Sequence, residues 1–316
     1  DSTVLVVNNF TRVSAPAWFD TREMAGFMSS ADPGMPYIRD ISYTGDMYEF
    51  RKTSQYRSNA APGFGASSGE HAGCPVTGNS FDYAYTHGKA IMAAGYPFCS
   101  ASADAFSSDS TLTCTGDSIS GGGFFAADII CGEQAATLTG KKGSAEKYRV
   151  FPAAMQSAIR AFVSEGGNIL VSGSHIGTDI WDSIFPVEED STFRAASVRF
   201  AEDVLGFRLV TGHASKSRTA AFLPARDSCT VSIQCGECSF SGRDGIYTVT
   251  SPDGIAPASG DGRTISEYTD TGIPCGICHS SPSGYRTVCF GFPLETLSSE
   301  ESLHSVISSI LKYFRQ

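Results

Sequence analysis

The sequence predicts an α/β fold: a three-layer sandwich on a mostly parallel sheet, carrying a β-rich insertion. Three observations predict it. Short continuous apolar runs, Val4-Leu5-Val6-Val7, Ala127-Asp128-Ile129-Ile130-Cys131 and Asn168-Ile169-Leu170-Val171, have the form of strands buried on both faces. Segments of helical periodicity separate these runs, and that alternation implies parallel strands with helices above and below. Over residues 213–271 the pattern changes to alternating positions between turn signals, as at Val231, Ile233 and Ile246-Tyr247-Thr248-Val249. This reads as β structure inserted into, or extending, a single domain spanning 1–316.

Taken in order, the first run ends at Asn8-Asn9 and delivers polar residues to a sheet edge. About seventy residues follow that are rich in Gly, Ser, Pro and aromatics, including Tyr43, Tyr48, Phe50, Tyr56 and Phe64; they read as a long packed loop with short helices. A short helix over 87–94 closes at Gly95 and leads to a strand over 98–102. Pro152 opens a helix whose apolar face is Met155, Ile159, Phe162 and Val163, stopped by Gly166-Gly167. Another spans 193–205, with Phe193, Phe200, Val204 and Leu205 facing the core and Gly206 as its stop. The chain closes with a strand over 286–290 and a last helix, signalled by a capping box of Ser298 with Glu301 and by the face Leu303, Val306, Ile307, Ile310 and Phe314.

Composition narrows the function classes. With 316 residues, 41% of them hydrophobic, the chain can bury a large core. No run approaches the roughly 18 consecutive apolar residues of a membrane helix, so membrane insertion is not expected. A net charge of −10 with its 23 basic residues scattered argues against nucleic acid and anionic membranes as partners. Only 18% of residues are charged while Gly, Ser and Thr abound, a pattern commoner in secreted, periplasmic or cell-surface proteins. The ten cysteines suit disulfides in an oxidising compartment. Cys235-Gly236-Glu237-Cys238 and Cys275-Gly276-Ile277-Cys278 read first as disulfide partners, with Cys229 and Cys289 as further candidates. The alternative is a structural zinc held by the four sulfurs of the two motifs.

Ligands of open α/β sheets bind beyond the carboxyl ends of the strands, so the residues just after each run are the candidate site. Asn8, Asn9 and Arg12 follow the first, Glu133 the second, Ser174, His175 and Asp179 the third, and Glu295 the last. Gly173-Ser174-His175-Ile176-Gly177 has the form of an elbow: small residues flank an apex side chain above a helix N-terminus, which stabilises negative charge. The densest polar cluster, Asn79, Asp82, His87 and Lys89, is interleaved with Phe81, Tyr83 and Tyr85, a mixture suited to acid/base work on a sugar ring. The alternative is a packed loop in which Asp82 caps the following helix.

The helix, strand, glycine-flanked elbow and final Gly291-Phe292-Pro293-Leu294-Glu295 resemble the class I glutamine amidotransferase architecture, which is flavodoxin-like. In that family the elbow apex is a cysteine and the last strand ends His-Pro-Glu; here His175 and Phe292 stand at those positions and Glu295 supplies the acid. The chain also resembles large secreted proteins of Bacteroidetes-type bacteria labelled xanthan lyases, which contain an amidotransferase-like domain. That likeness rests on Val6-Val7-Asn8-Asn9-Phe10, Pro62-Gly63-Phe64-Gly65, Gly78-Asn79-Ser80-Phe81-Asp82-Tyr83, His87-Gly88-Lys89, Gly166-Gly167-Asn168 through Asp179, and Gly291 to Glu295. Two expectations follow. One is a secreted hydrolase or lyase acting on polysaccharide or peptidoglycan, with Asp82, His87, Glu133, His175 and Glu295 as acid/base candidates and Asn8, Asn9, Arg12, Asn79, Lys89, Ser174 and Asp179 holding substrate. The other is a catalytically inactive domain that binds or scaffolds beside neighbouring domains of a longer chain. Neither expects a cofactor.

Overall fold

The computed structural model describes residues 3–11, 18–27, 49–55, 83–108, 112, 123–139, 145–181, 191–241 and 245–316. The elements begin with β1 (Thr3–Asn8), β2 (Trp18–Asp20), β3 (Met24–Phe27), β4 (Glu49–Arg51), α1 (Tyr83–Ala93), β5 (Phe98–Ser102), α2 (Ala103–Ser108) and β6 (Phe124–Gly132). Next come β7 (Thr137–Thr139), β8 (Ala145–Lys147), α3 (Ala153–Ser164), β9 (Asn168–Gly173), α4 (Thr178–Trp181) and α5 (Ser191–Phe200). A π-helical turn, Ala201–Leu205, extends α5 to β10 (Phe207–Thr211), followed by β11 (Thr219–Phe222), β12 (Glu237–Ser239) and β13 (Gly254–Pro257). The last elements are β14 (Gly262–Tyr268), β15 (Pro274–Ser280), β16 (Arg286–Phe290), a 3-10 turn at Leu294–Thr296, and α6 (Glu300–Phe314).

Nine of these strands form one sheet in the order β12-β11-β14-β15-β16-β9-β6-β1-β5. From β16 to β5 the neighbours are parallel, and from β12 to β16 they are antiparallel. This overturns the expected helix-flanked three-layer sandwich on a mostly parallel sheet. The sheet is mixed and the fold is β-rich, strand (32%) outweighing helix (29%). The reason lies in the connections. A parallel neighbour needs a crossover of a dozen or more residues, whereas β14, β15 and β16 are joined by tight turns. Gly272 at φ 67° and Gly284 at φ 96° take left-handed conformations there.

Strand alternation sorts the core into two clusters. Val4 and Val6 of β1, Ala126 and Ile130 of β6 and Leu170 of β9 face α1 and α6; Leu5, Val7, Ala127, Ile129, Ile169 and Val171 face α2, α3 and the π turn. Helices therefore cover the parallel half. On the antiparallel half the covering layers are the β10-β13 ribbon, through Ile255, and irregular chain carrying Val231, Ile233, Tyr247 and Val249. Each fully buried aliphatic chain contributes roughly 1.5–3 kcal/mol of transfer free energy.

Local signals set the element ends. Gly206, at φ 80°, caps the π turn in the left-handed conformation. The last helix is capped one residue later than the expected Ser298 and Glu301 pairing: Ser299 accepts from the Ser302 N–H, while Glu300 and Glu301 lie in the first turn and Lys312 in the last, each favourable to the helix dipole. The stretch expected as a loop with short helices holds instead a small antiparallel sheet, β2-β3-β4, with Trp18 edge-on to Phe50. Tyr43, Tyr48, Tyr56 and Phe64 lie outside the described residues.

Candidate functional site

Helix α1 lies so close to β5 that a Cβ on Gly88 would sit 2.2 Å from the Phe98 ring, so only glycine fits there. This approach places His87 over the middle of β6, completely buried. Its Nδ1 is 2.7 Å from Asp128 Oδ2 and its Nε2 is 3.4 Å from Glu295 Oε2. Tyr247 donates to Glu295 Oε1 at 2.9 Å, and Tyr83 packs edge-on against the Tyr247 ring. Burial opposes a charge on His87, but Asp128 and then Glu295 outweigh it and raise its pKa from 6.5 to about 10. The ring is an imidazolium at neutral pH, donating from both nitrogens to carboxylates. Burial first, then the charges of Glu295 and Glu133, push the Tyr247 phenol well up, so it stays a donor.

Asn8 and Ser172 extend this polar face toward the carboxyl ends of the strands. Both are in register with Ile130, one from β1 and one from β9, on the face that carries Asp128. Asn8 Oδ1, Asp128 Oδ1 and Ser172 Oγ are buried without a hydrogen-bond partner among the described residues. Asn8 also lines a cleft of about 220 Å³ with Ala84, Ser100, Ala101 and Ser102.

The elbow is a separate construction. Ser174 donates its N–H and its hydroxyl to the Gly132 carbonyl, at 3.0 and 3.3 Å. A Cβ on Gly173 would sit 2.6 Å from Cys131 Cβ, so glycine lets β9 close on β6. Where an elbow would offer backbone N–H groups to a developing anion, Asp253 is already in place. Its Oδ2 accepts from Gly177 N at 2.6 Å and Thr178 N at 2.9 Å, and its Oδ1 accepts from the Thr178 hydroxyl. Burial raises the Asp253 pKa to about 7 against these donors, which lower it. His175 is buried in the elbow; burial first and His213 second hold its pKa down to about 3, so it is neutral.

The candidate residues therefore separate. His87 and Glu295 meet, joined by Asp128 and Tyr247, which sequence reasoning missed. Glu133 accepts from the N–H and hydroxyl of Thr250, at 3.1 and 3.3 Å. Asp179 is occupied by backbone, accepting from Ala136 N at 2.8 Å and Val150 N at 2.9 Å. Asn9 likewise donates to the Val150 carbonyl, at 2.9 Å. Lys89 is on the surface, 2.9 Å from Glu300. Arg12, Asn79 and Asp82 lie outside the described residues. One signal could have found Asp128: a carboxylate in the middle of an apolar run is buried only with a partner.

Cys235 and Cys238 form a disulfide, while Cys275 and Cys278 are free and buried. Cys238 in β12 and Cys278 in β15 are three strand spacings apart, roughly 14 Å, so the two motifs do not converge as a zinc site requires.

No family model matches the chain, nor does any curated protein sequence. Among solved structures, it is similar to "Cytoplasmic Protein STM1381 from Salmonella typhimurium LT2", at 11% identity over 98% of each chain with a TM-score of 0.47. It is also similar to "Cytoplasmic Protein STM3548 from Salmonella typhimurium", at 8% identity over 99% of this chain and 98% of that one, TM-score 0.44. A third is the "mmIFT52 N-terminal domain", at 9% identity over 72% of this chain and 88% of that one, TM-score 0.38. At these scores the likenesses carry no argument about function.

Proposed function

We propose that this chain is a catalytically silent binding domain whose ligand is a hydroxyl-rich glycan, held at the carboxyl edge of the parallel strands. The observation that carries this reading is Asp253, which occupies the elbow N–H groups an anionic intermediate would need. The protonation states agree with it. A general acid or base works best with a pKa near the operating pH, yet His87 is held at about 10 and His175 at about 3. One keeps its proton and the other does not take one.

The ligand class follows from the cleft beside Asn8. Its polar groups are an amide and the hydroxyls of Ser100 and Ser102, uncharged donors and acceptors suited to sugar hydroxyls. The low charge content and the Cys235–Cys238 bridge support a secreted or cell-surface setting.

The test pairs turnover with binding. Incubation with acidic polysaccharides and peptidoglycan is expected to release no product, while calorimetry detects oligosaccharide binding that Ser100→Trp, filling the cleft, abolishes. Turnover of any of these substrates that disappears in His87→Ala or His175→Ala would sink the silent reading. Binding unaffected by Ser100→Trp would remove the cleft from it.

A further inference from the structure

The segment between β11 and β12 is pinned over the sheet by one aspartate. Asp227 Oδ1 accepts from Cys229 N at 3.1 Å and from the Thr230 hydroxyl at 2.6 Å, and its backbone carbonyl accepts from Thr230 N. Its Oδ2 accepts from Arg263 Nε at 3.1 Å, and Arg263 in β14 is the register partner of Cys278 in β15. The turn carrying Cys229 is thereby held directly above Cys278. The Cys278 thiol donates to the Cys229 carbonyl at 3.6 Å.

The two thiols differ in a useful way. Cys229 is exposed, and Cys278 is buried. Burial pushes the Cys278 pKa up, as does the charge of Asp227, while the Val231 N–H, the Tyr313 hydroxyl and the charge of Arg263 favour its thiolate. Other buried thiols point to different partners: Cys275 to the Ser266 hydroxyl and Cys289 to the Leu205 carbonyl. A disulfide needs Cα atoms within about 7 Å, and a sulfur touching its neighbour's carbonyl is compatible with that. The contact sets the Cys278 sulfur beside the backbone of Cys229, whose own side chain is exposed.

We infer that Cys229 and Cys278 are an oxidisable pair that forms a second disulfide, locking the segment between β11 and β12 onto β15. The oxidant is a small-molecule disulfide such as oxidised glutathione. The Cys229 thiolate attacks one of its sulfurs, breaking that S–S bond and releasing one glutathione thiolate. The Cys278 thiolate then attacks the Cys229 sulfur, forming the protein disulfide and releasing the second. Two protein thiols are oxidised, one small disulfide is reduced to two thiols, and the two cysteine protons end on glutathione.

The experiment treats the folded protein with oxidised glutathione, blocks free thiols and maps tryptic peptides without reduction. The expected product joins peptide 227–243, its Cys235–Cys238 bridge intact, to peptide 264–286, lighter by two hydrogens than the sum of the bridged and the unbridged peptide. It persists in Cys275→Ser and is lost in Cys229→Ser, a surface change that leaves the core intact. A stable glutathione adduct on Cys229, an unlinked wild type, or a link that survives in Cys278→Ala would each overturn the assignment. So would transfer of Cys229 onto Cys235 or Cys238 in place of Cys278.

Discussion

His87 and Asp128 form an ion pair across the interior, Nδ1 to Oδ2 at 2.7 Å, between a helix and the middle of a buried strand. Glu295 closes the other side of the ring, so one cation stands between two anions in a space with little water to screen them. Such a cluster is stable as a whole and intolerant of losing a member.

Replacing His87 with Gln removes the cation and leaves Asp128 and Glu295 facing each other. Breaking a buried pair typically costs about 3–5 kcal/mol, and urea unfolding at neutral pH is expected to show a loss of that order. A midpoint unchanged from wild type would mean that the pair carries no net stability.

The same histidine sets a pH dependence. Its folded pKa, about 10, lies above the unfolded value of 6.5, so its stabilisation is complete below pH 6.5 and is lost as pH rises toward 10. Asp253 acts in a lower window, because its pKa is raised from 3.8 to about 7; stability declines between those values. Unfolding midpoints measured from pH 4 to 10 are expected to fall across both windows, with the upper decline absent in His87→Gln.

Asp253→Ala exposes the cost of an empty elbow. The Gly177 and Thr178 N–H groups lose their acceptor inside the protein, and an unsatisfied buried donor costs roughly 1–3 kcal/mol. Asp253→Asn keeps one acceptor oxygen, so it is expected to lose less and to flatten the pH 4 to 7 decline. If both variants matched wild type in denaturant, the closure of the elbow would have to be discounted.

Two glycines give a contrast in thermal stability. A Cβ on Gly291 would sit 2.0 Å from the Asp253 carbonyl oxygen, a backbone atom that cannot turn aside, so Gly291→Ala displaces the segment holding Asp253. Gly260 has open space around it, and Gly260→Ala is expected to stay within about 0.5 kcal/mol of wild type. Differential scanning calorimetry should separate the two by many degrees.

The strands of the parallel half were legible because Val4 to Val7 and Ile169 to Val171 are buried on both faces, and the helix stops because Gly166 and Gly206 adopt positive φ. Strand direction was not legible. Val288, Cys289 and Phe290 would look alike in a parallel or an antiparallel neighbour, and the deciding signal was the shortness of the turns at Gly272 and Gly284. At the site, His87 and Glu295 announced themselves by position, whereas Asp128 was read as part of its apolar run. Phe292, at the position where the amidotransferase resemblance expects histidine, is stacked on Phe240 with ring centroids 4.5 Å apart. Asp253 immediately precedes β13, far along the chain, and nothing local ties it to the elbow.

The mixed sheet also implies an order of assembly. In β14, β15 and β16 each strand pairs with the next one along the chain, so closure there costs little chain entropy. Strand β1 pairs instead with β5 and β6, Val4 meeting Phe98 and Ala126, and must wait until a long intervening stretch has been gathered in. The antiparallel meander is thus the natural nucleus. Strand β1, second from the edge of the sheet and among its most buried strands, is expected to be among the last to gain its partners during refolding.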